Sequence, residues 1–252
     1  MLVRLDKLLC ANGVGSRKEI RRLLRKHHYY LNDTRVTDPA TLLDPLRDTV
    51  SYNGCVLTLR TNCYLMLNKP AGVVTSTDDP VHRTVMELLP EPFSTMRLFP
   101  IGRLDIDTEG LLLITNDGAL THRITAPKSH LVKTYYLEVE AAFSSTMLKD
   151  WQQACKNGLT LKNGMVCLPA QLESTQSLEV QTPFALLLHI YEGKYHQVKK
   201  MMHTLGTEVV YLKRIAIGSV SLDPNLASGA CRELTAAEIE GLTSAAKMAP
   251  PC

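Results

Sequence analysis

Three carboxylates fall within five residues in the stretch Gly102-Arg103-Leu104-Asp105-Ile106-Asp107-Thr108-Glu109-Gly110, which leads into an apolar run at 111–115 and the turn Asn116-Asp117-Gly118. Glycines bracket the acids, so they sit on a loop at the mouth of a strand. Three chemistries suit such a loop. Asp105 and Asp107 form a D-x-D pair that could hold a metal. Two carboxylates could divide acid and base work at a glycosidic bond. One aspartate could act as nucleophile or base while the others hydrogen-bond the loop. The ordinary role of D-x-D is a polar Asx-type turn, and spacing alone does not choose among these.

A second concentration of chemistry lies at the N-terminus. Residues 1–60 carry eleven Lys/Arg against six Asp/Glu, whereas the remainder carries 17 against 19, so the net charge of +3 hides a basic end. Ser16 followed by Glu19 is a capping-box pair that starts a helix. Ile20, Leu23 and Leu24 form its apolar stripe, and Arg17, Lys18, Arg21, Arg22, Arg25 and Lys26 fill the rest. Six bases meet one acid there, so pairing within the helix cannot neutralise the face, and phosphate contact is expected.

The remaining composition excludes several classes. No apolar stretch approaches the ~20 residues of a spanning helix. Arg4, Asp6 and Lys7 interrupt the first leucines, unlike a secretory signal, so a cytoplasmic location and no membrane partner are expected. The closest pair among the seven cysteines, Cys55 and Cys63, is eight residues apart, and His27-His28 has no second ligand pair nearby. Reduced thiols, no metal and no cofactor are expected.

Elements that would position these residues follow from periodicity and punctuation. Residues 1–60 are expected to form two helices, with Leu5, Leu8 and Leu9 on the first, then short strands near 29–32, 35–36, 48–52 and 56–59. Beyond residue 61 the expected strands are 64–67, 72–76, 111–115, 134–139, 184–191, 209–212 and 219–222. Helices are expected at 84–89, 145–153, 197–205 and 235–242. The fold class is α+β, with a module at 1–60, a mixed and mainly antiparallel catalytic domain at 61–246, and a frayed tail at 247–252.

The helix–helix–strand order with a basic second helix resembles an S4 RNA-binding domain. Gly102–Gly110 resembles the signature of the RsuA/RluB/E/F type of pseudouridine synthase, in which the catalytic aspartate follows Arg-Leu. The likeness runs on through Asn68-Lys69-Pro70-Ala71-Gly72, His122-Arg123-Ile124, Lys133-Thr134-Tyr135, Glu192-Gly193-Lys194-Tyr195-His196-Gln197-Val198-Lys199, Leu212-Lys213-Arg214-Ile215 and Gly218. By this resemblance the protein is an rRNA pseudouridine synthase needing neither metal nor cofactor. Asp105 is the catalytic carboxylate, Lys199 its basic partner where many members carry Arg, and Tyr135 the active-site tyrosine. Arg103 would fill the space left by a flipped base. Lys133, Lys194, His196 and Gln197 would join the basic helix in holding RNA. Tyr195-His196-Gln197-Val198-Lys199-Lys200, in place of the Arg-Gln-x-Arg-Arg of large-subunit members, resembles the members that modify position 516 of small-subunit (16S) ribosomal RNA. The partner is then ribosomal RNA, free or in a small-subunit assembly intermediate, and the protein is expected to be a monomer. A 23S uridine and a non-catalytic RNA-binding assembly protein are the alternatives.

Reversing Arg21, Arg22 and Arg25 to Glu is expected to weaken RNA binding and to flatten its dependence on salt, because fewer counterions are released. Binding isotherms at several salt concentrations measure this; identical slopes would reduce the helix to a solvated face.

Overall fold

The computed structural model describes residues 2–126, 131–140, 142–175 and 184–248. The N-terminal module is built from β1 (Val3–Arg4), α1 (Leu5–Ala11), α2 (Arg17–Lys26), β2 (Tyr29–Leu31), β3 (Thr34–Arg35), β4 (Leu42–Leu43), β5 (Val50–Tyr52) and β6 (Cys55–Val56). The capping box forms as expected: Glu19 N donates to Ser16 Oγ at 3.2 Å, and Ser16 N donates to Glu19 Oε2 at 2.7 Å. Ile20 and Leu24 are fully buried with Leu5, Leu9 and Leu43, which leaves every base of α2 in solvent. β1 pairs β4, and the other strands form a sheet in the order β3-β2-β5-β6.

The larger part comprises β7 (Tyr64–Lys69), β8 (Phe99–Ile101), β9 (Glu109–Thr115), α3 (Gly118–Thr125), β10 (Lys133–Val139), α4 (Ser145–Asn157), β11 (Gln171–Thr175), β12 (Ala185–Ile190), α5 (Gln197–Thr204), β13 (Val209–Ile217), β14 (Val220–Ser221), β15 (Cys231–Glu233) and α6 (Ala236–Met248). One sheet runs in the order β11-β12-β10-β13-β9-β7-β15, with β14 on β13 and β8 on β9. Every pairing in it is antiparallel except β13 with β9. The mixed, mainly antiparallel α+β architecture is therefore present.

Alternation along the central strands feeds two cores. Leu65, Leu67, Leu112 and Ile114 face a cluster that includes Trp151 of α4 and Met201 and Met202 of α5. Met66, Leu111 and Leu113 face the opposite cluster, with Leu120 and Ile124 of α3 and Leu242 of α6. A strand buried on both faces reads as a continuous apolar run, which is why 111–115 stands out in the sequence.

Several expected elements differ. The stretch 72–76 contributes only an isolated bridge, Val74 to Thr84. The helix expected at 84–89 is a single 3-10 turn, Val85–Leu88, closed early because Pro90 follows. The strand expected at 209–212 continues to Ile217. Within the expected tail, 247 and 248 close α6, and 249–252 lie outside the described residues. Among the described residues no helix is long and apolar enough to cross a membrane.

The two parts touch through the end of α1. Asn12 ties the end of the 1–60 module back to α1, its Nδ2 donating to Arg60 O at 2.9 Å and its Oδ1 accepting from Arg60 N at 2.8 Å. Arg97 N donates to Ala11 O at 3.2 Å. Gly13 packs so closely on Thr95 that a Cβ would lie 1.9 Å from its carbonyl oxygen. This contact holds the basic helix beside the larger sheet.

Candidate active site

The loop between β8 and β9, residues 102–108, carries Arg103, Asp105 and Asp107. It ends where β9 enters its one parallel pairing, Gly110 opposite Arg214. Gly110 has φ +95°, and a Cβ there would come within 2.3 Å of Arg214 O. Only glycine lets the two backbones approach this closely.

A buried lysine holds the loop from below. Lys69, at the end of β7, is 0% exposed. Its Nζ donates to Thr108 O at 2.8 Å, Pro70 O at 3.0 Å and Ile106 O at 3.2 Å. Three donors meet three carbonyls, which is the full capacity of an ammonium. Gly72 N adds a bond to Ile106 O (2.8 Å), and Thr75 Oγ1 donates to Leu104 O (2.8 Å) while accepting from Leu104 N (3.2 Å). Burial pushes the Lys69 pKa down to about 8, against the pull of Asp107, Glu109 and Asp105. In the sequence Asn68-to-Gly72 stands out only as part of the family likeness; its lysine as the anchor of the acidic loop is a finding of the structure.

Above the loop, Asp105 lines a cavity of about 350 Å³ together with Tyr135, Lys199 and Leu212. Its side chain is 29% exposed, with Lys199 Nζ 3.9 Å from Oδ2 and His196 Nε2 3.5 Å from Oδ1. Lys199 was expected as the basic partner of Asp105. Its shorter bonds go to Asp107, 2.6 Å to each oxygen. Partial burial opposes ionisation of Asp107, yet the Lys199 ammonium holds its carboxyl below the ordinary value. One point charge thus spans both aspartates, a geometry open to lysine's compact ammonium. The D-x-D pair is bound to an ammonium, and among the described residues no group of three His, Cys, Asp or Glu could hold a metal.

The segment 192–197 walls the cavity. Gln197 was expected at the RNA surface, but it is 3% exposed. Its Nε2 donates to Glu192 Oε1 (2.7 Å) and its Oε1 accepts from Lys194 N (3.0 Å), so it shapes this segment from inside. Lys194 is held as well, with Nζ 3.0 Å from Glu192 Oε2 and donating to Val166 O at 2.5 Å. His196 sits in the left-handed region, φ 53°, just before α5, with its ring stacked on exposed Tyr195 at 3.8 Å. Arg103 is exposed at the cavity rim. Among the described residues it forms no ion pair with Asp107 or Glu109; Glu109 accepts from Tyr211 Oη at 2.9 Å.

Tyr135 lies across the cavity on β10. A register shift between Thr134 and Tyr135, which face Ala216 and Arg214, leaves Ile215 unpaired. Such a bulge re-aims side chains; here Arg214 Nη1 approaches Tyr135 Oη at 3.5 Å. An active-site ring would face a cleft with few core contacts, but Tyr135 is 7% exposed and belongs to the main core. Tyr136 points the other way, donating to the buried Glu138 carboxylate at 2.5 Å.

Comparisons with known proteins identify the family of the chain. A sequence family described as RNA pseudouridylate synthase matches residues 63–204, and the S4 domain family matches residues 3–48. The uncharacterized RNA pseudouridine synthase YtzG of Bacillus subtilis is 41% identical over 237 residues, covering 94% of this chain and 97% of that protein. The ribosomal small subunit pseudouridine synthase A of Escherichia coli K12 is 41% identical over 238 residues, covering 94% and 98%. A crystal structure of a pseudouridylate synthase superposes with a TM-score of 0.64 at 35% identity, covering 95% of this chain and 99% of that one.

Tyr135→Phe is expected to lower turnover while leaving the melting temperature near wild type, since the ring remains in the core. Tyr135→Leu should lower both. Tyr136→Phe should cost about 1–3 kcal/mol of stability through its buried carboxylate partner and keep turnover. Melting curves and single-turnover rates on the three variants check this; wild-type turnover by Tyr135→Phe would leave only stacking to that ring.

Proposed function

We propose that this chain, which belongs to the RNA pseudouridylate synthase family and carries an S4 domain, converts one uridine of small-subunit ribosomal RNA to pseudouridine through Asp105. The observation that carries the reading is Asp105 itself: partly open to a cavity, flanked by Lys199 and His196, and mounted on a loop fixed by Lys69.

The reaction is an isomerisation. The N1–C1′ bond of the nucleotide breaks, a C5–C1′ bond forms, C5 releases a proton and N1 gains one. It needs a carboxylate beside the nucleoside and a proton acceptor near C5, with no net oxidation. Asp105 supplies the first. The Tyr135 hydroxyl, which receives the Arg214 Nη1 contact, supplies the second, and its ring offers a stacking face for uracil. Lys199 keeps Asp107 charged as water leaves, because an opposite charge nearby favours ionisation, and sets the same ammonium beside Asp105. The exposed Arg103 at the rim takes the place of the extruded base.

The target and setting rest on likeness and charge. The Escherichia coli relative is named for the small ribosomal subunit, and the Tyr195-to-Lys200 segment resembles members acting at position 516 of 16S RNA. The exposed bases of α2 supply sequence-independent attraction to that RNA, free or in an assembly intermediate. The protein works as a cytoplasmic monomer, with residues 1–60 as the RNA module and 61–246 as the catalytic body. A pure RNA-binding role fits the site poorly, because acids beside phosphates weaken binding.

Mapping pseudouridine in ribosomal RNA from cells lacking the protein should show one missing site in 16S RNA, restored by wild type and not by Asp105→Asn. A site missing from 23S RNA would move the target, and rescue by Asp105→Asn would remove the aspartate from the chemistry.

A further inference from the structure

A second cavity of about 260 Å³ adjoins the Asp105 cavity and shares Arg103, Tyr135, Gly193 and Lys194 with it. The charged residues that line this cavity alone are Lys133, Arg214 and Glu192. Arg214 is 3% exposed. Its Nε donates to Leu111 O at 2.8 Å and its Nη1 makes the long 3.5 Å contact to Tyr135, while Nη2 is buried with no partner among the described residues. No carboxylate pairs with it among those residues. A buried guanidinium left this way costs free energy unless something neutralises it.

Lys133 stands beside it. Its Nζ donates to Leu131 O at 3.2 Å. Burial, and then repulsion by Arg214, push its pKa down to about 8, with Glu192 opposing. Glu192 is the acid of this wall, and it already serves Lys194, Gln197 and the Leu168 amide. Arg103, exposed and without an ion pair among the described residues, closes the rim. The cavity therefore concentrates positive charge that the protein leaves unmatched, one side chain away from the reacting nucleotide.

We propose that this second cavity is a subsite for one backbone phosphate of the RNA beside the target nucleotide, contacted by Lys133 and backed by the buried charge of Arg214. The inference rests on the RNA reading above and adds the ligand group and its place. Substrate phosphate would supply the anion the wall lacks. It would also draw Arg214 toward the cavity, coupling correct seating of the strand to the Tyr135 hydroxyl. A guanidinium needed only to orient Tyr135 would not require a second, unpaired cation at its side.

The test measures binding, so that it stands apart from turnover. The probe is a synthetic hairpin around position 516 of small-subunit RNA, with each phosphate flanking the target uridine replaced in turn by a neutral methylphosphonate. Lys133→Gln should weaken binding of the unmodified hairpin about tenfold, the scale of one charged hydrogen bond, and Lys133→Arg should restore it to within about threefold. One methylphosphonate position should weaken wild type by a similar factor and add less than about twofold in Lys133→Gln, the coupling expected of partners in contact. Additive losses at every position, or wild-type binding by Lys133→Gln, would overturn the subsite. Failure of wild type to isomerise the hairpin would count against the target reading and leave the binding result to decide the subsite.

Discussion

The Lys69 ammonium under the acidic loop is the constraint on which the rest of the site depends. Three carbonyls are gathered on one buried cation, and two of them belong to residues 106 and 108, either side of Asp107. This fixes the backbone that carries Asp105, so that Lys199 and His196 approach it from α5 and the segment before it. The charge has a cost. In the unfolded chain a lysine titrates near 10.5, and here at about 8, a difference on the order of 3 kcal/mol. Between those pH values the unfolded chain holds more protons, so stability rises with pH across the window as that burden is lifted. A neutral amine, however, has two N–H donors for three carbonyls. Stability and loop definition are therefore opposed at this residue, a pattern expected where function governs.

Two registers convert that anchor into a site. The parallel pairing of β13 with β9, possible because Gly110 has no Cβ, brings β13 against the root of the loop. The bulge opposite Tyr135 then turns Arg214 toward the ring from the same strand. A central sheet buried on both faces makes these positions stiff, since α4 and α5 cover one side and α3 and α6 the other. Precision at Asp105 follows from rigid strands on both sides of a short loop.

What the sequence reveals is what local physics dictates. The Ser16–Glu19 box and the apolar run of β9 depend on neighbours in the chain, and each is found as expected. The acidic loop and its partner Lys199 are legible through likeness to a known family, although the sharing of Lys199 with Asp107 is not. Misses have physical causes. Asp117 caps α3 through the Leu120 amide, yet Asn116-Asp117-Gly118 also reads as a turn. Lys69 and Gln197 look like surface residues, because burial of such groups requires partners 37 and 39 residues away for Lys69 and a folded-back segment for Gln197. The Arg214 bulge is a cross-strand event with no local signature.

The most direct test of the anchor is amide hydrogen exchange across 102–110 in Lys69→Met, compared with wild type at the same pH and read beside single-turnover rates. Loss of the ammonium leaves the buried Thr108 carbonyl unpaired and Ile106 O with the Gly72 amide alone, so exchange at the Thr108 amide, which donates to Asp105 O, should accelerate at least tenfold while β10 and β12 keep their protection, and turnover should collapse with it. Unchanged exchange in the loop with wild-type turnover would contradict the account, because the position of Asp105 would then be set by something other than Lys69.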